Sequence, residues 1–323
     1  MDRLSLRRLR IVIPGGTGHL GHILARHFHE QGHDVTVIAR HLRQEKWAVI
    51  PWNAFELDEW AKSIDGADVV VNLAGRSVNC RYTAANQREI RHSRTIPTGL
   101  IAQAIARSSN PPRVWLNAST ATIYRHSFES MDEVTGVIGT HEKGKWRFSV
   151  DVAQEWERAL LAEPLPKTRR VAMRTAMVMS PDPGGAFDAF LNLVRWGFGG
   201  KIASGQQYIS WIHDVDWIRA IEFLIEREDL SGAVNLTSPC PLRNRQFMKH
   251  LRAAWCTSYW GIPTPGWALP IGAMILRTET ELVLKSRYVA PKRLCEAGFD
   301  FHFPNWRGAC QDLVARWRQL HSD

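Results

Sequence analysis

Short, unbroken apolar runs alternate with stretches of helical period along most of the chain. Ile11-Val12-Ile13 is β-branched and uninterrupted, the pattern of a strand buried on both faces of a parallel sheet, and Pro14 ends it. Leu20, Ile23, Leu24, His27 and Phe28 then recur at spacings of three and four, which predicts a helix closed by Gly32. Val35 to Ala39 reads as a second strand, and Asp68–Gly75, Val114–Thr120 and Val171–Val178 as further buried strands. A long helix is predicted from about Thr83 to Ala106, with Pro97 as a kink point. Trp211 to Asp216 leads into a helix through Leu224, and helical patterns return around Phe247–Trp255 and Leu313–Leu320. Strands alternating with helices predict an α/β fold with a doubly wound parallel sheet.

Between the first strand and helix lies Gly15-Gly16-Thr17-Gly18-His19-Leu20-Gly21. Gly15 permits a tight turn, Gly18 lets the backbone approach a pyrophosphate, and Gly21 lets the helix lie close on the strand. Thr17, His19 and Leu20 complete this candidate dinucleotide turn, and the helix N-terminus offers free N–H groups and a positive dipole end to the phosphates. An NAD site usually has Asp or Glu at the end of the second strand. This chain has Arg40, followed by His41 and Arg43. Guanidinium forks match phosphate oxygens, so the predicted cofactor is NADP(H). Residues 1–180 are expected to form a Rossmann domain that binds it, with 206–238 returning to its sheet. Residues 181–205 and 239–323 are expected to form a small substrate-side lobe, in which the glycine-rich stretch from Gly184 to Gly205 reads as a flexible wall over the site.

Composition narrows the function classes. At 323 residues, 45% hydrophobic and 23% charged, the chain is neither disordered, collagen-like nor a disulfide-stapled miniprotein. No apolar run approaches the ~20 residues of a membrane span, and the basic start from Met1 to Arg10 lacks a secretory h-region. The five cysteines are scattered, with no CxxC, and read as free buried thiols of a cytoplasmic protein. The net charge of +9 fits an anionic small ligand. Basic residues are spread along the chain and no nucleic-acid motif is present, so neither nucleic acid nor membrane is an expected partner. The thirteen histidines form no HExxH, and no metal is expected.

The GxxGxxG spacing resembles the short-chain dehydrogenase/reductase superfamily, in its extended or atypical branches. Asn72-Leu73-Ala74-Gly75 resembles the Asn-x-Ala-Gly segment that lies under the adenine and ribose there, implying cofactor contacts for Leu73, Ala74 and Gly75. Further segments resemble one atypical, epimerase-like family of undefined substrate. Often labelled a nucleoside-diphosphate-sugar epimerase family, it is represented in humans by short-chain dehydrogenase/reductase family 39U member 1. They are Arg81-Tyr82-Thr83 through Ile90 to Arg94, Gly199-Gly200 with Gly205, Ser210 to Asp214, and Val289 to Phe299. The resemblance covers nearly the whole chain. It implies an NADP-binding fold of epimerase type, with Ser93 and Arg94 facing the cofactor phosphates or the substrate mouth. Oligomeric state stays open, a homodimer paired through helices flanking the sheet being one option from the superfamily.

In open parallel sheets, ligands bind beyond the carboxyl ends of the strands. That places Ala118 against the cofactor and Ser119 and Thr120 where they touch substrate or nicotinamide. Dehydrogenases of this superfamily usually use Tyr-x-x-x-Lys, whose lysine lowers the tyrosine pKa toward neutrality. Of the five tyrosines, Tyr82, Tyr124, Tyr208 and Tyr259 have no lysine four residues on. Tyr288 precedes Lys292 at that spacing, but Pro291 lies between them and the pair falls late in the chain, so it reads as coincidence. The expected slots hold Val152 and Trp156, neither of which transfers a proton. Tyr124 is the candidate replacement. His213 or Asp214 is another, although such a pair more often orders a loop and caps a helix. Glu133, Glu142, Lys143 and Lys145 carry no assigned role. Two functions remain: an NADP(H)-dependent oxidoreductase or epimerase acting on a small carbonyl, alcohol or sugar-like molecule, or an NADP(H)-binding sensor or scaffold without turnover.

Overall fold

The computed structural model describes residues 7–255, 261–264 and 284–322. β1 (Arg10–Pro14) is buried after its first residue and pairs in parallel with β2 (Asp34–Ala39) and β4 (Val69–Asn72). A residue buried on both faces of a sheet has no polar side to alternate with, which is why these strands are continuous runs of Val and Ile. With β3 (Ala48–Pro51), β5 (Val114–Thr120), β6 (Arg169–Thr175) and β10 (Gly232–Leu236) they form a seven-stranded, wholly parallel sheet in the order β10-β6-β5-β4-β1-β2-β3. The chain leaves β1 for one side of the sheet and returns at β4 for the other, so the crevice between β1 and β4 is the switch point where such sheets bind ligands.

Helices cover both faces. α1 (His19–Glu30) buries Gly21, Ile23, Leu24, Ala25 and Phe28 against the sheet, the face its spacing predicted. α2 (Ala84–Arg107) begins at Thr83, whose hydroxyl accepts from Asn86 N, and carries Pro97 within it. α3 (Gly144–Leu160) packs beside α2, and α5 (Asp214–Glu226) covers the opposite face with Trp217, Ala220, Ile221 and Leu224.

The apolar run read as one strand over 171–178 is two elements. β6 ends at Thr175, Ala176 N donates to Leu236 O, and β7 (Met177–Met179) turns away to pair with β9 (Trp211–His213) in a separate two-stranded sheet. β8 (Tyr208–Ile209) pairs with β11 (Leu242–Arg243) in another. The glycine-rich stretch 184–205, expected to be a flexible wall, carries a packed helix, α4 (Ala186–Arg195). Its Phe187, Phe190, Leu191 and Val194 belong to a second core with Phe247 and Leu251 of α6 (Asn244–Trp255). Trp306, Leu313 and Trp317 of α8 (Trp306–Leu320) complete it, and Phe247 stacks on Trp306 with ring centroids 4.0 Å apart. Between these helices, Leu294 of α7 (Lys292–Glu296) and Phe299 bury into the core of the main sheet. Of the cysteines, Cys310 is buried and burial pushes its thiol up to about 12. Cys240 and Cys295 are exposed, against the expectation of buried thiols, and Cys256 lies outside the described residues. No described helix is long and apolar enough to cross a membrane.

Candidate functional site

A cavity of about 520 Å³ opens at the carboxyl ends of β1, β4 and β5. Its wall includes Gly15, Gly18, His19, Leu20 and Gly21 of the first turn, Leu73 and Gly75 after β4, and Arg94 of α2. Ala118, Ser119 and Thr120 of β5 continue it, with Val152 and Trp156 of α3 beyond them. Thr122, Ser149, Thr175 and Arg287, which the sequence reading did not single out, also line it. Thr17, Arg40, Arg43, Ala74 and Tyr124 do not.

One end is made mainly of backbone. Gly15 has φ +80°, and a Cβ on it would fall 2.6 Å from Ala74 N. Side chains disfavour that backbone region and the neighbouring chain leaves no room for one, so only glycine closes this turn. A Cβ at Gly21 would meet Gly16 Cα at 2.5 Å, which sets how closely α1 lies on the turn. The loop after β4 is fixed by Asn72, fully buried. Its Oδ1 accepts from Ala74 N (3.0 Å), and its Nδ2 donates to Asn117 Oδ1 (2.7 Å) and Thr98 Oγ1 (3.1 Å). The N-cap of α1, Gly18, provides no side-chain hydrogen bond, and the first turn holds no acidic residue. His19 contributes a buried Nε2 without a hydrogen-bond partner, and burial lowers its pKa against the pull of Asp182. An uncapped positive helix end with open amides suits an anionic diphosphate. Arg40 follows directly on β2, and both it and Arg43 are exposed.

The other end is made of charged and hydroxyl side chains. Arg94 donates through Nη1 to Ile90 O (2.9 Å) and through Nη2 to Arg76 O (3.0 Å), and its guanidinium carbon stands 5.1 Å over the Trp156 ring. Burial lowers its pKa to about 10, and the neighbours that favour its charge are Tyr82 and Cys80, not a carboxylate. Trp156, which the sequence reading set in the lysine slot, thus carries a cation on its face. Its Nε1 donates to Thr98 Oγ1 at 3.0 Å. Ser93 stays out of the cavity, its hydroxyl accepting from Arg76 N at 2.9 Å.

Ser119 Oγ donates to Glu157 Oε1 at 2.6 Å. Arg174 clamps the same carboxylate with two bonds of 2.8 Å, Nε to Oε1 and Nη2 to Oε2. Burial alone would lower the Arg174 pKa, and the Glu157 contacts reverse this and raise it. Thr120 Oγ1 accepts from Thr122 N at 3.2 Å, capping the short turn 121–123, and the residue lines the cavity.

Tyr124, read from the sequence as the replacement proton carrier, is corrected by this geometry. It is 2% exposed, and its hydroxyl accepts from Arg174 Nη1 (2.9 Å) and donates to Asn235 Oδ1 (3.0 Å). Burial raises its pKa, with Arg174 opposing, so the phenol is a neutral structural group beneath the site. Tyr288 packs tilted against Tyr208 and Lys292 lies 3.9 Å from Asp132, and neither Tyr288 nor Lys292 lines the cavity. Tyr259 lies outside the described residues. His213 Nδ1 accepts from Val215 N and caps α5. Glu133 accepts from Asn235 N and Glu142 from His126 N, both in structural roles. Lys143 is exposed at the start of α3, and the Lys145 side chain lies outside the described ones.

Glu157 and Arg174 are the residues that sequence reasoning missed. Arg174 had a signal, a lone charge inside the apolar run Val171–Val178, which requires a buried partner. Glu157 had only its place beside Trp156. Among the described residues no group of three His, Cys, Asp or Glu side chains is arranged to hold a metal ion.

The profile of the NAD dependent epimerase/dehydratase family matches residues 11–236, and that of a domain of unknown function, DUF1731, matches 264–313. An epimerase family protein of Staphylococcus aureus is 31% identical over 306 residues, covering 94% of this chain and 98% of the relative. One of Staphylococcus epidermidis is 29% identical over 307 residues, covering 94% and 99%. The crystal structure of human epimerase family protein SDR39U1 with NADPH superposes with a TM-score of 0.83 at 28% identity, over 95% of this chain and 99% of that one. MoeE5 in complex with UDP-glucuronic acid and NAD shares the fold, with a TM-score of 0.75 at 15% identity over 96% and 99%. The glycine turn at the switch point and the full-length relatives agree: the chain belongs to the NAD dependent epimerase/dehydratase family, in the atypical, epimerase-like branch of the short-chain dehydrogenases/reductases.

Proposed function

We propose that the protein is an NADP(H)-dependent oxidoreductase or epimerase acting on a hydroxyl- or carbonyl-bearing, sugar-like molecule without a Tyr-x-x-x-Lys pair. The observation that carries this reading is one continuous cavity joining the uncapped N-terminus of α1 to the hydroxyls at the end of β5. The coenzyme supplies reversible hydride transfer when bound. Gly15, Thr17, Gly18, His19, Leu20 and Gly21 hold its diphosphate. Leu73, Ala74 and Gly75 lie against the adenosine, and Arg40 and Arg43 take the ribose phosphate. Ala118 leaves room for the nicotinamide, and the O–H of Thr120 donates to a substrate oxygen. Arg94, with no carboxylate to neutralise it, adds positive potential between the two halves, and Val152 and Trp156 exclude water where a tyrosine and lysine ordinarily stand. The NADPH in human SDR39U1 supports the phosphorylated coenzyme.

Isothermal titration with NADPH and NADH tests the first half, with tighter binding of NADPH expected. Incubation with NADP+ or NADPH and a panel of sugar nucleotides, alcohols and ketones tests the second, read by the absorbance of the reduced nicotinamide. The Val152 and Trp156 substitutions favour a second reading, a coenzyme-binding sensor without turnover. Binding of NADPH with no change in absorbance for any member of the panel selects it.

A further inference from the structure

Ser119 and Thr120 are neighbouring hydroxyls at one strand end, and their hydrogen bonds give them opposite polarity toward the cavity. A hydroxyl has one proton to donate. Ser119 gives its proton to Glu157 Oε1 at 2.6 Å and so offers the cavity only lone pairs. Thr120 accepts from Thr122 N and offers the cavity a proton. The direction of the Ser119 bond is set by Arg174. Its two 2.8 Å contacts make a bidentate clamp on Glu157, and the two side chains are 11% and 17% exposed. In the resting site a neutral Glu157 donating to Ser119 would leave the guanidinium enclosed without its counter-charge, so the carboxylate is the resting form; the acid is reached only as hydride leaves, and the clamp then drives its proton out to solvent.

We propose that Ser119 takes the proton of a substrate hydroxyl and passes its own proton to Glu157, the two forming the relay that stands in for the missing Tyr-x-x-x-Lys pair. The proposal rests on the coenzyme-dependent reaction proposed above and specifies its substrate as an alcohol in the oxidative direction. The substrate O–H bond breaks and its proton goes to Ser119 Oγ, while the Ser119 proton moves to the Glu157 carboxylate. The hydrogen on the alcohol carbon leaves with its electron pair to the oxidised nicotinamide, and the C–O bond becomes double. Alcohol, oxidised coenzyme and carboxylate become ketone, reduced coenzyme and carboxylic acid. Ser119 touches the reacting oxygen, and Glu157 is a positioning residue that acts through it. Trp156 leaves the lysine slot without an amine, and Glu157, the next residue on α3, reaches β5 from the same turn of helix.

The test has two readouts. Neutron diffraction from deuterium-exchanged crystals grown with NADPH is expected to show a deuteron on Ser119 Oγ aimed at Glu157 Oε1 and none on Glu157. A deuteron on the carboxylate, or a Ser119 deuteron aimed into the cavity, overturns the relay. The same crystals separate the two proposals: absence of bound NADPH sinks the coenzyme reading and leaves the proton positions to be read. In kinetics, UDP-glucose, UDP-N-acetylglucosamine and cyclohexanol are offered with NADP+. For any probe oxidised, Ser119→Ala lowers kcat about 100-fold or more, with NADPH affinity and melting temperature unchanged because the Glu157–Arg174 clamp remains. Ser119→Thr restores most of the rate. Glu157→Gln, whose amide oxygen cannot hold the Ser119 proton, lowers kcat by a similar factor with KM unchanged, and Glu157→Asp restores part of the rate. Full kcat in Ser119→Ala overturns the proposal.

Discussion

At one end of the cavity the contacts are made by backbone, through a glycine turn, open amides and a loop held by Asn72. At the other they are made by charges withdrawn from water, with Arg174 on Glu157 and Arg94 on Trp156. The glycine turn of the backbone end is written within seven consecutive positions, Gly15 to Gly21, because its geometry depends on atoms that must be absent. The charged end joins Ser119 to Glu157 across 38 positions and Glu157 to Arg174 across 17, and depends on atoms that must meet. A site of the first kind fails when anything is added to it, whereas one of the second kind fails when either partner is removed.

Substitutions at the two ends therefore have different signatures. The largest effect is expected from Arg174→Leu, which strands Glu157 in the interior and should cost about 3–5 kcal/mol of unfolding free energy in a denaturant titration. A loss under about 1 kcal/mol would remove the distinction between the ends. Gly15→Ala imposes a positive φ on a side chain as well as a backbone clash, and should cost about 1–3 kcal/mol while weakening NADPH in the same preparation. Gly18→Ala is the contrasting change: its added carbon meets nothing nearer than Gly15 O at 3.4 Å. The ligand-free protein should melt as before, with calorimetry showing NADPH weakened about tenfold. Arg40→Ala at the exposed end of β2 should reduce the preference for NADPH over NADH about tenfold, the scale of hydrogen bonds to a charged group, with no change in melting.

The smallest effect expected is a pH dependence. Burial lowers the pKa of His213, against Asp214 and Asp312 and with Arg316, and also that of His19. The unfolded chain takes up protons near 6.5 while the folded one does not, so stability is complete above that pH and declines as pH falls below it. The melting temperature should fall between pH 6.5 and about 5, and His213→Asn should flatten the decline. A melting temperature that rises on acidification would contradict the burial of these rings.

The same contrast explains what was legible in the sequence. The buried strands, the first helix and the glycine turn announce themselves because local spacing determines them. β5 matched its reading residue for residue, as its apolar run ends in hydroxyls. The run at 171–178 could not reveal its break, since the turn at Ala176 is set by Leu236, a partner on another strand. Tyr124 looked suitable because it follows the strand end, and only Arg174 and Asn235 show that its hydroxyl is already engaged. Glu157 was invisible for the complementary reason, as nothing near it in sequence says which strand it faces.

The stretch between residues 284 and 299 fastens three regions together. His126 Nδ1 accepts from Ser286 N, Ser210 Oγ accepts from Val289 N, Arg287 walls the cavity, and Leu294 seals the sheet beside β10. A protease nick or premature stop ahead of this strap would unroof the pocket and uncover the sheet at once, so the tail is as much a part of the nucleotide-binding unit as the strands that begin it.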